Sequence, residues 1–338
     1  MIKQAIYDIL AGNNLSLETT RRVMLQMMNG EATSAQMGAF LTAMRIKGET
    51  IEEITACAQV MREKSLRLTP KTDVLDIVGT GGDELFTFNI STVSSFVVAA
   101  GGVNVAKHGN RSVSSKCGSA DMLEALGVNI SLNAVQNEMV LSKTGMCFML
   151  AQVYHSAMKH VAPVRKELGT RTIFNILGPL ANPAGANLQL LGVYDESLVS
   201  PLANVLLNLG VKRAMVVRGH DGLDEITLTG TSTVCEVVNG NVSSYFITPE
   251  QFGLNRCKIE DLVGGNPDEN AEIARRILSG EKGPKRDTVV LNSACCLYMA
   301  MNNITMRECV RLAEELIDNG SAMQKLEEFI KISNEAAA

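Results

Sequence analysis

The sequence lacks a long run of Lys and Arg, and its 338 residues carry a formal net charge of −5. Proteins that bind nucleic acid or an anionic membrane surface usually present clustered positive charge. No apolar run reaches the roughly 18–20 residues that cross a bilayer. The N-terminal MIKQAIYDIL also lacks the apolar core and cleavage site of a signal peptide. We therefore expect a cytoplasmic protein with neither nucleic acid nor membrane as a partner.

Two further absences argue against a disulfide scaffold and a structural zinc site. The eight cysteines are scattered through a large chain, and none of them form a C-x-x-C pair. Small secreted scaffolds are denser in cysteine, and structural zinc sites commonly use such pairs. We expect mostly reduced core thiols. Cys117 is more simply a small filler in its loop than a catalytic nucleophile.

The most informative features of the sequence are two glycine-containing loops. A short apolar strand, VLDIV, runs into GTGGD at residues 79–83, and KHGNRSVSSKCGSAD follows at residues 107–121. Glycines allow backbone N–H groups to converge on an anion, and a following helix N-terminus favours the same ligand. Lys107, Arg111 and Lys116 add positive charge to the second loop. Together the two loops predict a phosphate site.

The first loop alone would fit an ordinary strand-to-helix turn equally well. It has no Gly-Lys-Ser/Thr ending, which a P-loop requires, and it lacks the G-x-G-x-x-G spacing of a dinucleotide fingerprint. The pairing of the two loops is therefore the informative feature. Neither a nucleoside triphosphate nor a nicotinamide is the expected ligand.

The order of elements predicts a small, mainly helical domain followed by a larger α/β domain. Residues 1–70 contain no strand-like run, but they contain three helix signals. These signals lie at Ser16, at Thr33-Ser34 and in a capping box at Thr50 and Glu53. From Lys71 onward, short apolar strands alternate with helical stretches. This alternation is typical of a mostly parallel central sheet that is covered on both faces.

Individual strands and the last helices follow from the same pattern. Strands are expected at residues 74–78, 103–106, 147–150, 188–193, 214–217, 233–238 and 242–247, with the last two joined as a hairpin at Asn239-Gly240-Asn241. Helices expected at residues 268–279, 287–301, 305–318 and 321–332 form a C-terminal helical bundle. The segment GPLANPAGAN at 178–187 contains two prolines and two glycines, so we expect no regular helix there.

Long motifs in a fixed order resemble the anthranilate phosphoribosyltransferase family. They are GTGGD, NIST at 89–92, KHGNRSVSSKCGSAD, VAPVRKELGTRTIFNILGPLANPA at 161–184 and GHDGLDEIT at 219–227. The resemblance covers nearly the whole chain. It implies an enzyme that transfers the phosphoribosyl group of 5-phosphoribosyl 1-pyrophosphate to the amine of anthranilate and releases pyrophosphate. This is the second step of tryptophan biosynthesis from chorismate.

The resemblance also implies how the domains and subunits are arranged. Residues 1–70 and about 166–184 would form the small helical domain, and residues 71–165 and 185–338 the large domain that binds the donor. The substrate cleft is then expected between the domains, which is a common place for ligand pockets. Family members form homodimers through the small domains. We expect a twofold dimer in which the apolar Ala35–Met44 segment takes part.

The donor site implied by the family match combines both loops with the start of the helix after the first loop. The matched residues are Gly79, Gly82, Asp83, Thr87, Asn89, Ile90, Ser91, Thr92, Lys107, His108, Gly109, Asn110, Arg111, Ser112, Val113, Ser114, Ser115 and Ser119. A donor of this kind is heavily anionic. Backbone N–H groups and cations are therefore expected to share it.

The expected cofactor is Mg²⁺, with two ions per monomer. Mg²⁺ is usually held by one or two carboxylates together with phosphate oxygens and water, and Asp224-Glu225 follows a strand at the ligand-binding end of the sheet. Without context, a loop pair of this kind is more often solvated than bound to metal; the family match reverses that preference. By the same match Ser91 binds the other ion, although it also fits the N-cap of a helix.

The acceptor is a flat ring with a carboxylate, and Arg165 is its matched ligand. A planar guanidinium donates two parallel hydrogen bonds to a carboxylate, whereas the alternative is an ordinary arginine on a helix surface. The match adds Gly79, Asn110, His108 and His155. Family members often read His-Pro-Ala where this chain has His155-Ser156-Ala157, so the local backbone differs there. We expect no covalent nucleophile, and His108 is a candidate proton acceptor.

Two alternative functions remain at this point. A pyrimidine nucleoside phosphorylase has a similar architecture and glycine-rich phosphate loops, but it acts on a nucleoside with free phosphate. It would not need the Asp224-Glu225 pair together with Asn110 and Arg165 in this form. A non-enzymatic sensor of a phosphate ligand would be expected to have lost one of these positions, and all of them are present.

Overall fold

The computed structural model describes residues 1–112 and 116–337 of the chain. Within these residues the chain forms fifteen α-helices and seven strands. The helices are α1 (Ile2–Leu10), α2 (Leu17–Met28), α3 (Ser34–Lys47), α4 (Ile51–Glu63), α5 (Ile90–Ala100), α6 (Ser119–Ala125), α7 (Ala134–Thr144), α8 (Ala151–Tyr154), α9 (Ala162–Leu168), α10 (Phe174–Leu180), α11 (Val199–Asn208), α12 (Pro267–Leu278), α13 (Pro284–Ala300), α14 (Met306–Asp318) and α15 (Ser321–Ala337). None of them is both long and apolar enough to span a bilayer.

The strands form one mixed sheet. They are β1 (Leu75–Gly79), β2 (Val105–Gly109), β3 (Met146–Leu150), β4 (Leu188–Gly192), β5 (Arg213–Gly219), β6 (Ser232–Val238) and β7 (Asn241–Ile247). Their order across the sheet is β3-β2-β1-β4-β5-β6-β7. The first five are parallel, and β6 and β7 add antiparallel pairs. This confirms the mostly parallel sheet and the terminal hairpin.

The hairpin turn has the backbone that its sequence predicts. Asn239 and Gly240 both have positive φ, at 50° and 78°. Two consecutive residues of this kind make the turn type that matches the twist of paired strands, and Asn-Gly is its preferred sequence. Val238 therefore lies opposite Asn241 in the register.

Both faces of the sheet are covered, which explains why its strands are continuously apolar. Met215 and Val217 of β5 belong to a core shared with α5, α13 and α15, whereas Ala214 and Val216 belong to a core shared with α11 and the N-terminal helices. Successive strand residues point to opposite faces, so a doubly covered strand needs apolar residues at every position. The expected architecture, a helical start followed by an α/β body with C-terminal helices, is confirmed.

The N-terminal helices begin at the predicted caps. The Ser16 side chain accepts a hydrogen bond from the Thr19 N–H, and capping boxes open α3 at Thr33 and α4 at Thr50. The first helix, α1, was not predicted. Its buried residues Ile2, Ala5 and Ile9 have the helical spacing of an apolar face, so the signal was present without a cap.

Three local predictions were wrong. β2 extends through Gly109, so Lys107 and His108 belong to a strand rather than to the second loop. α5 begins at Ile90 with Asn89 at the N-cap, so Ser91 is inside the helix and is not its cap. The segment 178–187 starts as helix, because α10 includes Pro179 in its last turn.

Side chains from other elements stabilise this unusual helix end. Gln189 Nε2 donates to the Pro179 carbonyl at 2.7 Å, and Arg62 Nε donates to the Leu180 carbonyl at 2.7 Å. The last carbonyls of a helix have no partner within it, so these contacts satisfy groups that would otherwise be buried without one. Pro179 lacks a backbone N–H, but near the end of this short helix the missing hydrogen bond costs little stability.

Candidate active site

Four parallel strands end in glycine at one edge of the sheet: β1 at Gly79, β2 at Gly109, β4 at Gly192 and β5 at Gly219. A Cβ on Gly192 would lie 1.5 Å from the Asp224 carbonyl oxygen, and a Cβ on Gly79 would lie 2.3 Å from Asp224 Oδ2. Real Cβ atoms do not approach so closely. These glycines therefore let the loop after β5 rest directly on the sheet edge.

The carboxylates of that loop meet both the first glycine loop and α5. Asp224 Oδ2 accepts from the Gly81 N–H at 2.7 Å, and Glu225 Oε1 accepts from the Ser91 N–H at 3.1 Å. Burial raises the pKa of Asp224, and the nearby charge of Asp83 raises it further. Burial and the adjacent Asp224 likewise raise the pKa of Glu225. The arrangement suits a divalent cation, because its charge would favour the ionised form of both carboxylates.

Lys107 supplies a positive charge beside this pair from within the sheet. Its side chain is only 2% exposed. Its Nζ donates to the Ile77 carbonyl and, at 3.3 Å, to Ser91 Oγ. Burial lowers the pKa of Lys107, while the charges of Asp76 and Glu225 oppose that shift. Lys107 thus lies beneath the loops instead of extending from them, because it occupies a strand position.

The first loop is a tight turn held at several points. Gly81 and Gly82 both have positive φ, at 69° and 80°, which favours glycine at each. The Thr80 N–H donates to the Gly192 carbonyl, and the Asp83 carboxylate accepts from the Leu85 N–H. These bonds leave the loop close against β4.

The start of α5 joins the first loop to the second. Asn89 Nδ2 donates to the Cys117 carbonyl at 3.2 Å, and Asn89 Oδ1 accepts from Asn270 Nδ2 at 3.0 Å. Ile90 and Thr92 are buried. Thr87 lies just before this helix and pairs with Val263 in an isolated β-bridge. Asn89 is therefore a linker between elements, in addition to its predicted place in the donor site.

Asp121 organises the second loop. It accepts from the backbone N–H groups of Ser112 and Gly118, each at 2.9 Å, and it pairs with Arg111. Glu124 also binds Arg111, through both guanidinium nitrogens. Arg111 is thus engaged within its own loop, whereas Lys116 is exposed.

Three more predicted donor residues lie outside the described residues. Two others, Asn110 and Ser119, lie near the two ends of the second loop. Val113, Ser114 and Ser115 are the three outside. Ser119 Oγ donates to the Asn110 carbonyl at 3.3 Å, which closes the loop beside the end of β2. The Asn110 side chain is exposed there.

His108 and His155 form a buried pair on the other face of β2. Their ring centroids lie 5.0 Å apart, and each residue is 5% exposed. His108 Nδ1 lies 3.2 Å from the Gly178 carbonyl, while His108 Nε2 has no hydrogen-bond partner among the described residues. Burial lowers the pKa of His108 to about 3 and that of His155 to about 4. Both rings are therefore neutral near pH 7.

Arg165 lies half-buried in α9. No carboxylate among the described residues lies within ion-pair distance of it. Its guanidinium carbon lies 5.4 Å from the centroid of the Phe174 ring. Burial lowers the pKa of Arg165. This half-buried cation therefore has an aromatic neighbour but no counter-charge among the described residues. Such a group suits an anionic aromatic ligand.

Two features of the site were not predicted from the sequence. Asp76, buried in β1, accepts from Asn182 Nδ2 at 2.7 Å and from the His108 N–H at 3.2 Å. Burial raises its pKa to about 6. A carboxylate inside the apolar run VLDIV was a visible signal of this network. Arg171, which donates to the Gly82 carbonyl at 2.6 Å, had no comparable signal.

Comparisons with known proteins agree with this geometry along the whole chain. Residues 71–323 match the glycosyl transferase family, a/b domain, and residues 3–65 match the glycosyl transferase family, helical bundle domain. The anthranilate phosphoribosyltransferase of Ruminiclostridium cellulolyticum is 68% identical over 334 residues, which cover 99% of this chain and 98% of that protein. That of Methanobrevibacter smithii is 57% identical, over 99% of this chain and 100% of that protein.

This chain belongs to the anthranilate phosphoribosyltransferase family.

Solved structures of the family have the same fold. The enzyme from Thermus thermophilus superposes with a TM-score of 0.93 at 44% identity, covering 98% of this chain and 99% of that one. The Saccharomyces cerevisiae enzyme, in complex with PRPP and Mg, superposes with a TM-score of 0.92 at 28% identity, covering 99% of this chain and 98% of that one. The fold expected from the motifs is therefore the fold of the family.

Proposed function

We propose that this chain transfers the phosphoribosyl group of 5-phosphoribosyl 1-pyrophosphate to the amine of anthranilate. The observation that supports this most strongly is the arrangement around β2. The carboxylates of half-buried Asp224 and buried Glu225 lie beside Lys107 and the glycine loops. The two neutral histidines and Arg165, which has no counter-charge among the described residues, lie on the side of α9 and α10. One side suits a metal-bound polyanion, and the other suits a carboxylated ring.

Mg²⁺ is the proposed cofactor, with two ions per monomer held by Asp224, Glu225 and Ser91 together with donor oxygens. A structure of the yeast relative contains PRPP and Mg. When bound, the ions supply positive charge that stabilises the departing pyrophosphate. The chain itself contributes the carboxylates, the Ser91 hydroxyl and the buried charge of Lys107.

The proposed reaction needs orientation and charge stabilisation more than a nucleophile. Substitution at the anomeric carbon gives the ribose oxocarbenium character and places negative charge on the leaving oxygens. The N–H groups of the first loop and of the α5 N-terminus are preorganised donors for such charge. Holding both substrates in a fixed geometry supplies much of the remaining acceleration.

On the acceptor side we propose that Arg165 binds the anthranilate carboxylate and that the two histidines line the ring. If His108 Nδ1–H donates to the Gly178 carbonyl, Nε2 is left as an acceptor for the amine N–H. A pKa near 3 makes His108 a weak base. Since an arylammonium ion is itself strongly acidic, a hydrogen bond from the amine is a sufficient role for His108.

The domain division predicted from the sequence is also a proposal. The buried residues Phe174, Ile176, Leu177 and Leu180 of α10 belong to the same core as those of α1 to α4, and Arg62 of α4 bonds to the end of α10. These contacts support assigning residues about 166–184 to the small domain with residues 1–70. The remaining residues, 71–165 and 185–338, then form the large domain.

The twofold dimer through the N-terminal helices and the cytoplasmic location stay predictions. Tyr7 and Leu10 of α1 and Ile46 of α3 are all at least 70% exposed, which is unusual for large apolar side chains. Such exposure supports a contact between copies at this end. Light scattering tests it: twice the monomer mass at micromolar concentration is expected, and the monomer mass would contradict the dimer.

A steady-state assay tests the proposed function. Anthranilate should be consumed in the presence of 5-phosphoribosyl 1-pyrophosphate and Mg²⁺, with no consumption when Mg²⁺ is chelated. Uridine or thymidine with phosphate should give no base. Phosphorolysis without anthranilate turnover would instead indicate a nucleoside phosphorylase.

A further inference from the structure

Arg171 lies in the short segment between α9 and α10 and reaches the first glycine loop. Its Nη2 donates to the Gly82 carbonyl at 2.6 Å, and its guanidinium carbon lies 4.1 Å from the centroid of the Tyr194 ring. A planar guanidinium that makes a hydrogen bond and a ring contact at once has a fixed position. Its ion pair with the exposed Glu84, at 3.9 Å, adds little to that.

Tyr194 is tied to the same loop. Its backbone N–H donates to Thr80 Oγ1 at 3.2 Å, and the Thr80 N–H donates to the Gly192 carbonyl at 2.9 Å. Arg171 therefore contacts the loop directly at Gly82 and indirectly near Thr80. A displacement of the loop would change both contacts.

The other end of this connection is Arg165. Helix α9, which contains Arg165, ends at Leu168 and is capped by Gly169, whose φ is 60°, two residues before Arg171. Helix α10 begins at Phe174, three residues after it, and the Arg165 guanidinium lies over the Phe174 ring. The link between the glycine loop and the arginine proposed for the acceptor is therefore short and made of packed groups.

We propose that Arg171 is a positioning residue that couples occupancy of the donor site to affinity at the acceptor site. The inference rests on the proposed function. A pyrophosphate group bound by the first glycine loop would order Gly82 and Tyr194, the two residues that contact Arg171. A fixed Arg171 would in turn fix the adjoining end of α9, the helix that contains Arg165. Ordering by one ligand lowers the cost of ordering for the second, and such coupling is reciprocal.

The coupling is measured by titrating anthranilate into the protein with and without Mg²⁺-pyrophosphate, which is expected to occupy the donor site without allowing reaction. Wild type should bind anthranilate about fivefold or more tightly when Mg²⁺-pyrophosphate is present. In Arg171→Ala this ratio should fall to about 1, while anthranilate affinity without pyrophosphate changes less than about twofold. Arg171→Lys should give an intermediate ratio, since an ammonium cannot reproduce the planar stack and its directed hydrogen bond together.

Arg256→Ala is the matched control. Arg256 pairs with Glu250 on the surface, with both side chains 53% exposed, so the wild-type ratio should be retained. A wild-type ratio near 1, or an unchanged ratio in Arg171→Ala, would overturn the proposal. If Arg171→Ala does not fold, Tyr194→Leu removes the ring contact alone, and a full ratio in that variant would overturn it as well.

The same preparation separates this inference from the proposed function. Wild-type turnover of anthranilate with 5-phosphoribosyl 1-pyrophosphate tests the function by itself. Turnover with no coupling contradicts the role of Arg171 only. Absence of turnover in a folded wild type contradicts the function.

Discussion

The two faces of β2 place adjacent residues in opposite electrostatic surroundings. Lys107 points toward Ser91 and the Asp224-Glu225 carboxylates, whereas His108, the next residue, points toward α10 and His155. On the first face, burial disfavours the charged forms of Asp224, Glu225 and Lys107. A bound metal ion would favour the ionised carboxylates, and a bound polyanion would favour the protonated lysine. On the second face, burial keeps two imidazoles neutral.

The difference follows from the period of a strand. Because successive side chains point to opposite faces, one short strand can serve a charged ligand on one side and an aromatic one on the other. We infer that the reaction is divided between the faces, and the following predictions test that division.

The largest effect is expected from removing the charges on the metal side. Asp224→Asn with Glu225→Gln should lower Mg²⁺-dependent activity by orders of magnitude, because carboxylates are the ligands expected to hold the ions. A Mg²⁺ titration of activity, with circular dichroism as the folding control, checks this. Activity and Mg²⁺ dependence equal to wild type would remove both residues from the site.

The next effect is expected on the other face, at Arg165. Arg165→Ala should raise the acceptor KM by roughly 30- to 1000-fold, since a lost charge-assisted contact costs on the order of 2–4 kcal/mol. The donor KM should hardly change. Arg165→Lys should recover part of the loss, because a point charge cannot make a two-pronged contact. Steady-state kinetics with each substrate varied in turn measures both constants.

A smaller effect, on stability, is expected at Asp76, the buried residue of β1 that accepts hydrogen bonds from the His108 N–H and from Asn182. Asp76→Asn should cost about 1–3 kcal/mol, because an amide can accept only part of what the carboxylate accepts from His108 and Asn182. Thermal unfolding measures this. Asp73→Asn is the matched control: Asp73 is exposed and paired with Lys212, so its loss should cost less than about 1 kcal/mol. Equal losses in the two variants would refute a special role for Asp76.

The smallest effect is a change of pH dependence at His155. Its pKa is about 4 when folded and about 6.5 when unfolded, so its contribution to stability is full above pH 6.5 and is lost as pH falls toward 4. In His155→Gln the unfolding temperature should therefore fall less between pH 7 and pH 5, by about 2–4 °C. Parallel pH profiles would show that His155 is not buried in neutral form.

Much of the fold was predictable because its signals are local. Apolar runs, capping boxes and an Asn-Gly turn each act over a few residues, and they located the parallel sheet, the hairpin and α2 to α4. The helical end of α10 was missed because it depends on side chains of other elements, Gln189 of β4 and Arg62 of α4. No local pattern reports a carbonyl that is satisfied from another element.

The site was predictable in its residue types and less so in their orientation. The motifs pointed to Asp224, Glu225, His108 and Arg165. The structure brings the first two to the sheet edge, and among the residues that it describes no carboxylate pairs with Arg165. The spacing did not show that Lys107 is buried in a strand. Nor did it show that Arg111 binds Asp121 and Glu124. The burial of Lys107 and the ion pairs of Arg111 both depend on three-dimensional packing.

The division between the faces is tested most directly by equilibrium titration of two ligands into two variants. Mg²⁺-pyrophosphate binding should be lost in Asp224→Asn/Glu225→Gln and retained in Arg165→Ala. Anthranilate binding, measured without pyrophosphate, should show the reverse. If either variant loses both ligands equally while remaining folded, or if the two losses are exchanged, the assignment of donor and acceptor to opposite faces of β2 is contradicted.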